Sequence, residues 1–67
     1  MIQVTINGEA RRFPSALSFA ELVGELDLAG KRIAIERNGE IVPRSRFPET
    51  HLSDGDRLEV VVAVGGG

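Results

Sequence analysis

The stretch RLEVVVAV, residues 57–64, predicts a strand that lies inside a sheet with neighbours on both sides. Side chains alternate between the two faces of a strand, so every second residue shares a face. One face of this stretch carries Leu58, Val60, Val62 and Val64. The other carries Glu59, Val61 and Ala63, and it is therefore also apolar near its end. Apolar residues on both faces are typical of a central strand.

Four shorter segments predict the other strands of this sheet. They are IQVTI (Ile2–Ile6), EARRF (Glu9–Phe13), RIAIE (32–36) and EIV (Glu40–Val42). In the first segment isoleucine and valine alternate with polar residues, which indicates one buried face. The pairs Asn7-Gly8 and Asn38-Gly39 separate neighbouring segments. Asn-Gly is the favoured sequence for a two-residue turn with positive φ, so we expect two hairpins.

One amphipathic helix is predicted after the first hairpin. Ser18 is a favourable N-cap residue, and Glu21 follows three residues later, as in a capping box. Leu17 and Leu22 have the spacing of a hydrophobic staple across this cap. A single apolar stripe at helical spacing is made by Phe19, Leu22, Val23 and Leu26. Gly30 is the predicted stop of the helix.

The order of these elements predicts the fold class. It runs strand, strand, helix, strand, short strand, strand, and the last strand is best buried if it lies parallel to the first. This is an α+β fold, the β-grasp or ubiquitin-like roll, with a mixed sheet of four to five strands packed on one helix. Phe47 and Leu52 are expected to anchor the irregular segment before the last strand. We assign residues 1–64 to this domain and residues 65–67 to a flexible glycine tail.

Length and composition restrict the functions open to this chain. Its 67 residues form one small domain with little room for a deep substrate pocket. Eight Lys and Arg against ten Asp and Glu give a net charge of -2, which is not the basic excess of a nucleic-acid-binding domain. The absence of cysteine excludes disulfides and thiol catalysis on this chain. No leader or membrane-spanning stretch is apparent, so we expect a cytoplasmic protein without a membrane partner.

The histidine and the paired aspartates, which are residue types common in catalytic sites, are better explained here by structural roles. His51 is the single histidine, and without cysteines it lacks the partners of a zinc site. Asp54 and Asp56 flank Gly55, which is typical of a turn and lacks the ligand series of a calcium loop. We therefore predict no catalytic residue, no metal and no bound cofactor, and interpret the chain as a carrier and not an enzyme.

The closing glycines, Gly65, Gly66 and Gly67, are the predicted functional segment. A terminal carboxylate is ionised at neutral pH and is an oxygen nucleophile. It can attack the α-phosphorus of ATP when a partner enzyme aligns the two and Mg²⁺ screens their charge. Glycine has no Cβ, so such a tail threads a narrow channel and leaves its last carbonyl unhindered. The alternative interpretation is an inert, frayed terminus.

Two internal stretches and the glycine end together resemble one protein family. NGEIVPRS (38–45), DGDRLEVV (54–61) and the closing glycines are similar to the bacterial sulfur carriers of thiamine biosynthesis, the ThiS family. The resemblance implies that an E1-like activating enzyme uses ATP and magnesium to adenylate the Gly67 carboxylate. A cysteine desulfurase or another sulfur donor would then convert the adenylate to a thiocarboxylate. Thiazole synthase would take that sulfur into the thiazole ring of thiamine. Gly66 matches the penultimate glycine of the family, whereas Gly65 stands where members often carry another residue.

The sheet face carrying Thr5, Val61 and Ala63 is predicted to dock the activating enzyme, because it is apolar for an exposed surface. Ordinary strand propensity on a half-covered sheet explains the same residues equally well. Three other functions stay open. A molybdopterin sulfur carrier shares the fold and the tail. A ubiquitin-like protein modifier passes its adenylate to lysines, and Lys31 is the only lysine here for building chains. A plain interaction module would have an inert tail.

Overall fold

Within the residues that the structure describes, 1–63, the fold is a five-stranded mixed sheet with one α-helix. The structure is a computed structural model. The elements in chain order are β1 (Ile2–Ile6), β2 (Glu9–Phe13), α1 (Phe19–Glu25), β3 (Ile33–Arg37), β4 (Glu40–Val42), a 3₁₀ turn (Arg44–Arg46) and β5 (Arg57–Val62). The strand order is β2-β1-β5-β3-β4. β5 is parallel to β1 and antiparallel to β3, which confirms the predicted central strand and the β-grasp fold.

Both hairpin turns are made by the predicted Asn-Gly pairs. Asn7 and Gly8 have φ angles of 51° and 85°, and Asn38 and Gly39 have φ angles of 50° and 89°. Positive φ at both central residues is the type I′ geometry, whose twist matches the twist of the flanking strands. The turns therefore form where the sequence predicts them and for the predicted reason.

The turn asparagines have a second role, because their side chains bond to the backbone of β5. The Val60 N–H donates to Asn7 Oδ1 at 2.8 Å, and the Asn7 Nδ2 donates to the Val60 carbonyl at 3.0 Å. On the edge of β5 that faces β3, the Arg57 N–H donates to Asn38 Oδ1 at 3.0 Å. Each hairpin turn thus holds the central strand as well as joining its own two strands.

The start of α1 has the predicted capping box. The Glu21 N–H donates to Ser18 Oγ at 3.0 Å, and the Ser18 N–H donates to Glu21 Oε1 at 2.8 Å. A third free donor of the first turn, the Phe19 N–H, bonds to the Thr50 carbonyl at 2.8 Å. The helix start is therefore tied to the segment that precedes β5 as well as capped by its own side chains.

The end of α1 differs from the prediction, since the helix stops at Glu25 and not near Gly30. Asp27 takes the left-handed conformation, with φ of 58°. The Asp27 N–H bonds to the Gly24 carbonyl at 3.0 Å, and the Leu28 N–H bonds to the Val23 carbonyl at 2.9 Å. This pair of bonds is a Schellman motif, which usually has glycine at the left-handed position. The sequence prediction followed the glycine, and an aspartate fills the role instead.

A single core lies between the sheet and α1. Its buried apolar residues come from every part of the chain: Val4, Ile6, Phe13, Phe19, Leu22, Ile35, Phe47, Leu52 and Leu58. Phe47 packs its ring 5.9 Å from that of Phe19, measured between ring centroids. Phe47 and Leu52 therefore anchor the irregular segment to the core, as predicted.

One charged side chain, Asp56, is also buried, and it orders the turn before β5. Its carboxylate accepts from the Ser53 N–H at 2.8 Å and forms an ion pair with Arg37 at 2.9 Å. The Arg37 guanidinium lies 5.6 Å from the centre of the Phe19 ring. Burial is tolerated because the carboxylate is paired and hydrogen-bonded.

Candidate functional site

The end of β5 is the last part of the chain that the structure describes, and it is held on both sides. The Ala63 N–H donates to the Arg32 carbonyl at 2.9 Å on the β3 side. On the β1 side, where β1 has already turned away, the Asn7 amide bonds Val60. The predicted tail residues Gly65, Gly66 and Gly67 lie outside the described residues. A firmly paired strand therefore ends shortly before the glycines in the sequence.

The three predicted docking residues do not form one cluster. Thr5, Val61 and Ala63 lie on the sheet face opposite α1, because they alternate with residues that pack in the core. Val61 is 58% exposed and lies two residues from exposed Ala63. Thr5 is half-buried and in register with Arg57. Four residues along a strand span about 13 Å, so Thr5 is well separated from Val61 on this face.

Strand register brings other residues beside Val61 that the sequence prediction missed. Ala34 on β3 lies directly opposite Val61, and Glu36 lies directly opposite Glu59. Ile41 on β4 is opposite Glu36 and is 68% exposed. We call these five residues, Ala34, Glu36, Ile41, Glu59 and Val61, the outward patch. Their alternation with inward residues was visible in the sequence, but their alignment across three strands depends on a register that the sequence did not reveal.

The remaining polar candidates have structural partners. The Asp54 carboxylate accepts from the Gln3 N–H at 2.7 Å, and the Asp56 carboxylate pairs with Arg37 at 2.9 Å. The backbone carbonyl of His51 accepts from Arg37 at 3.0 Å. In residues 1–63, no three His, Cys, Asp or Glu side chains are grouped as a metal site would require. No helix in the same part of the chain has the length and apolar character needed to cross a membrane. The outward patch thus places an exposed apolar side chain on the strand that leads towards the glycines in the sequence.

Comparison with known proteins supports the fold described above, and the family match extends through the closing glycines. A profile of the ThiS family matches residues 4–67, so the match includes the closing glycines. The chain belongs to the ThiS family. Its members are small sulfur carriers of thiamine biosynthesis, and the predicted family is confirmed. The sulfur carrier protein ThiS of Bacillus subtilis is 40% identical over 47 residues, which cover 70% of this chain and 71% of that protein.

A solved structure of a ThiS family member has the same fold. The crystal structure of the thiamine biosynthesis protein ThiS from Geobacter metallireducens matches with a TM-score of 0.81 and 33% identity. The match covers 98% of this chain and 100% of that chain. The β-grasp assignment therefore rests on the strand order observed here and on a related solved structure.

A longer relative carries a similar segment. The thiazole synthase of Paramagnetospirillum magneticum is 42% identical over 66 residues, which cover 98% of this chain and 20% of that protein. The chain therefore spans about a fifth of the length of this relative. A ThiS-like segment thus occurs within a protein named for thiazole synthesis.

Proposed function

We propose that the chain carries sulfur as a thiocarboxylate on Gly67, formed after an activating enzyme adenylates the Gly67 carboxylate with ATP. The observation that supports this most is the ThiS family match, which extends through residue 67 and so includes the glycines. The chain itself supplies no catalytic group in this proposal. It is a carrier and the substrate of its partner enzymes.

The first step makes the carboxylate reactive. A carboxylate oxygen of Gly67 bonds to the α-phosphorus of ATP, and the bond to pyrophosphate breaks. Mg²⁺ in the partner enzyme offsets the charge that collects on the phosphates. The product is a mixed anhydride of Gly67 and AMP, whose carbonyl carbon has a good leaving group.

The second step exchanges oxygen for sulfur. A donor that supplies hydrosulfide attacks the Gly67 carbonyl carbon directly, AMP leaves with the former carboxylate oxygen, and the sulfide proton passes to solvent. When a cysteine desulfurase supplies the sulfur as a persulfide, the same displacement of AMP gives an acyl disulfide, and an external thiol then reduces that disulfide to the thiocarboxylate and is itself oxidised to a disulfide. The thiocarboxylate that remains is a nucleophile tethered to a protein, so sulfide never diffuses freely.

The geometry of the described residues suits such a carrier. β5 is held by hydrogen bonds up to Ala63, and four residues separate Ala63 from the end of the chain. Four residues extend at most about 13–14 Å, enough to enter a partner's active site while the folded domain stays outside. Glycine at the last positions keeps the width of that segment at its minimum.

Thiazole synthase is the proposed acceptor of the sulfur. A ThiS-like segment occurs within proteins named thiazole synthase in Paramagnetospirillum magneticum and Magnetococcus marinus, and such linkage supports a shared pathway. The acceptor would use the thiocarboxylate sulfur as the nucleophile that enters the thiazole ring. The carboxylate of Gly67 would return for another cycle.

Intact-mass spectrometry tests the proposed modification. The chain is incubated with the activating enzyme of its source organism, Mg²⁺-ATP and a sulfur donor. We expect a mass increase equal to one exchange of oxygen for sulfur, located at Gly67. A chain that lacks Gly66 and Gly67 is the matched control, because it still ends in a glycine carboxylate but is shorter. It should remain unmodified and unfold at the same temperature as the full chain.

Two results would contradict the proposed function. One is an unchanged mass for the full chain when the same activating enzyme modifies another carrier. The other is equal modification of the shortened chain, because the position of the carboxylate would then be irrelevant. Complementation of a thiamine auxotroph, compared with recovery of molybdoenzyme activity, distinguishes the thiamine pathway from the molybdopterin pathway.

A further inference from the structure

β2 forms one free edge of the sheet. The strand order places β1 on one side of β2, and no strand of residues 1–63 lies on its other side. The first four residues of β2, Glu9, Ala10, Arg11 and Arg12, are all exposed. A free edge presents unpaired backbone N–H and C=O groups, which can bond a strand of another chain. β2 is therefore a place where this fold can extend its sheet.

The backbone groups of Ala10 and Arg12 point out of this edge. The Thr5 N–H donates to the Asp56 carbonyl at 2.9 Å, so the backbone of Thr5 bonds towards β5 and not towards β2. Thr5 lies directly opposite Ala10. Opposed residues of an antiparallel pair alternate between bonded and non-bonded pairs, so Ala10, and Arg12 two residues later, exchange no bonds with β1. The N–H and C=O groups of both residues therefore face the free edge.

Two opposite charges stand on the helix side of β2. Glu9 is in register with Ile6, and Arg11 is in register with Val4. Both of these β1 residues are buried in the core that α1 covers. Residues in direct register share a face of the sheet, so Glu9 and Arg11 lie on that face too. The ion pairs found in residues 1–63 involve neither side chain. Both charges are thus available to a partner.

The spacing of these charges is self-complementary. A second copy that pairs antiparallel with β2 about a two-fold axis keeps both α1 helices on the same face, and opposed residues then differ by an even number. With Ala10 at the axis, Glu9 of each copy lies opposite Arg11 of the other. With Glu9 or Arg11 at the axis, two like charges would be opposed, and such pairs destabilise a sheet. Charge thus selects one register.

The backbone and the side chain of Ala10 suit that register. The N–H and C=O groups of Ala10 face outward, so two copies that meet at this residue can exchange two hydrogen bonds. The Ala10 side chain is small, and two of them meet at the axis without crowding. The ion pairs of Glu9 and Arg11 would lie on either side of these bonds, on the opposite face of the sheet.

We propose that two copies of the chain pair through β2 into one continuous sheet, with Ala10 at the two-fold axis and Glu9 of each copy bound to Arg11 of the other. β1 separates β2 from β5, so the strand that leads to the glycines stays free. One short strand pair is small beside a standard interface of about 1,600 Å², so the association is weak. The inference does not depend on the chemistry proposed for Gly67.

Sedimentation equilibrium of the full chain tests the inference. At low salt we expect the average mass to rise from 7.2 kDa towards twice that value as the concentration approaches about 1 mM. Glu9→Arg and Arg11→Glu should each weaken the association at least about tenfold, because each places like charges at both ion-pair positions. Glu40→Arg and Arg44→Glu are the matched controls. They change the net charge equally, at and just after the strand on the other edge of the sheet, and should leave the association unchanged.

A mixture of the two charge variants gives the decisive result. In a pair of one Glu9→Arg chain and one Arg11→Glu chain, two arginines of one copy lie opposite two glutamates of the other. We therefore expect the equimolar mixture to associate at least as strongly as the unsubstituted chain, although each variant alone does not. A merely structural role of either residue would not produce this recovery.

Amide hydrogen exchange locates the contact. The Ala10 N–H should exchange more slowly at high than at low protein concentration, because the second copy supplies its acceptor. The Arg11 N–H faces β1 and should keep the same rate at both concentrations.

Three results would overturn the inference. The first is an unsubstituted chain whose mass stays at 7.2 kDa at the highest concentration. The second is association that both charge variants retain, and the third is a mixture of folded variants that stays monomeric. Circular dichroism first checks that the variants fold. If a reversed charge prevents folding, Glu9→Gln and Arg11→Gln replace it, and each should still weaken the association, by a smaller factor.

Discussion

Asp27 ends the helix in a backbone conformation that L-residues adopt at a cost. Its φ of 58° lies in the left-handed region, where the Cβ approaches the following carbonyl. Aspartate tolerates this conformation better than most residues, but glycine tolerates it best. The hydrogen bonds of Asp27 and Leu28 to the last turn of α1 require this conformation whatever the side chain is.

Asp27→Gly should stabilise the domain. We expect the free energy of unfolding in urea to rise by about 0.5–1 kcal/mol, because relief of the left-handed strain exceeds the added freedom of the unfolded chain. Asp27→Ala is the control, since alanine keeps the Cβ and tolerates the left-handed conformation less well than aspartate, so it should destabilise. A glycine variant no more stable than the original chain would contradict the strain assigned to this residue.

At the scale of one element, the start of α1 depends on a charged group. The pKa of the Glu21 carboxyl is lowered, mainly by the hydrogen bond from the Ser18 N–H and next by the Ser18 side chain. Desolvation raises this pKa by less than those two bonds lower it, and the charge of His51 lowers it slightly. A carboxyl whose pKa is lower in the folded state stabilises the fold while it is ionised in both states. Its contribution is present above the unfolded pKa and is lost as the pH falls through the folded pKa.

Glu21→Gln should therefore weaken the dependence of stability on acid. Glutamine can still accept the Ser18 N–H bond of the capping box, but it does not titrate. We expect urea unfolding from neutral pH down to about pH 3 to show a smaller loss of stability in the variant than in the original chain. Equal losses in the two proteins would mean that Glu21 is not linked to folding.

At the scale of the whole molecule, residues 1–63 place one helix on one face of a five-stranded sheet and exposed side chains on the other. The core side supplies stability through its buried apolar residues. The open side carries the outward patch, where exposed Val61 and Ile41 flank two opposed carboxylates. The two faces of the sheet thus differ in burial, since the core residues lie on one and exposed Val61 and Ile41 lie on the other.

Glu59→Lys should stabilise the isolated domain. The substitution replaces a pair of like charges on β3 and β5 with a pair of opposite charges at the same positions. We expect the free energy of unfolding to rise by about 0.2–1 kcal/mol at low salt, measured by urea titration. Glu25→Lys changes the net charge equally and serves as the control. A less stable Glu59→Lys domain would show that the glutamate pair does not strain the fold.

Much of the fold could be predicted because its determinants are local. Alternation located the strands, the two Asn-Gly pairs located the turns, and Ser18 with Glu21 located the start of α1. The stop of α1 was placed wrongly, because glycine is the usual signal and Asp27 takes that position. Of the predicted docking residues, Val61 and Ala63 lie together, whereas Thr5 lies farther along the face. The prediction for Gly65, Gly66 and Gly67 stays a prediction, since these residues lie outside the described part.

The sequence by itself determined the elements, the central place of β5 and the glycine end, because these depend on the period and composition of short segments. Only the tertiary structure decided that Asn7 and Asn38 hold β5, and that Glu36 faces Glu59 beside Val61 and Ile41. Those contacts join residues far apart in the chain. They depend on strand register, and a shift of β5 by one residue would place Glu59 and Val61 on the opposite face of the sheet.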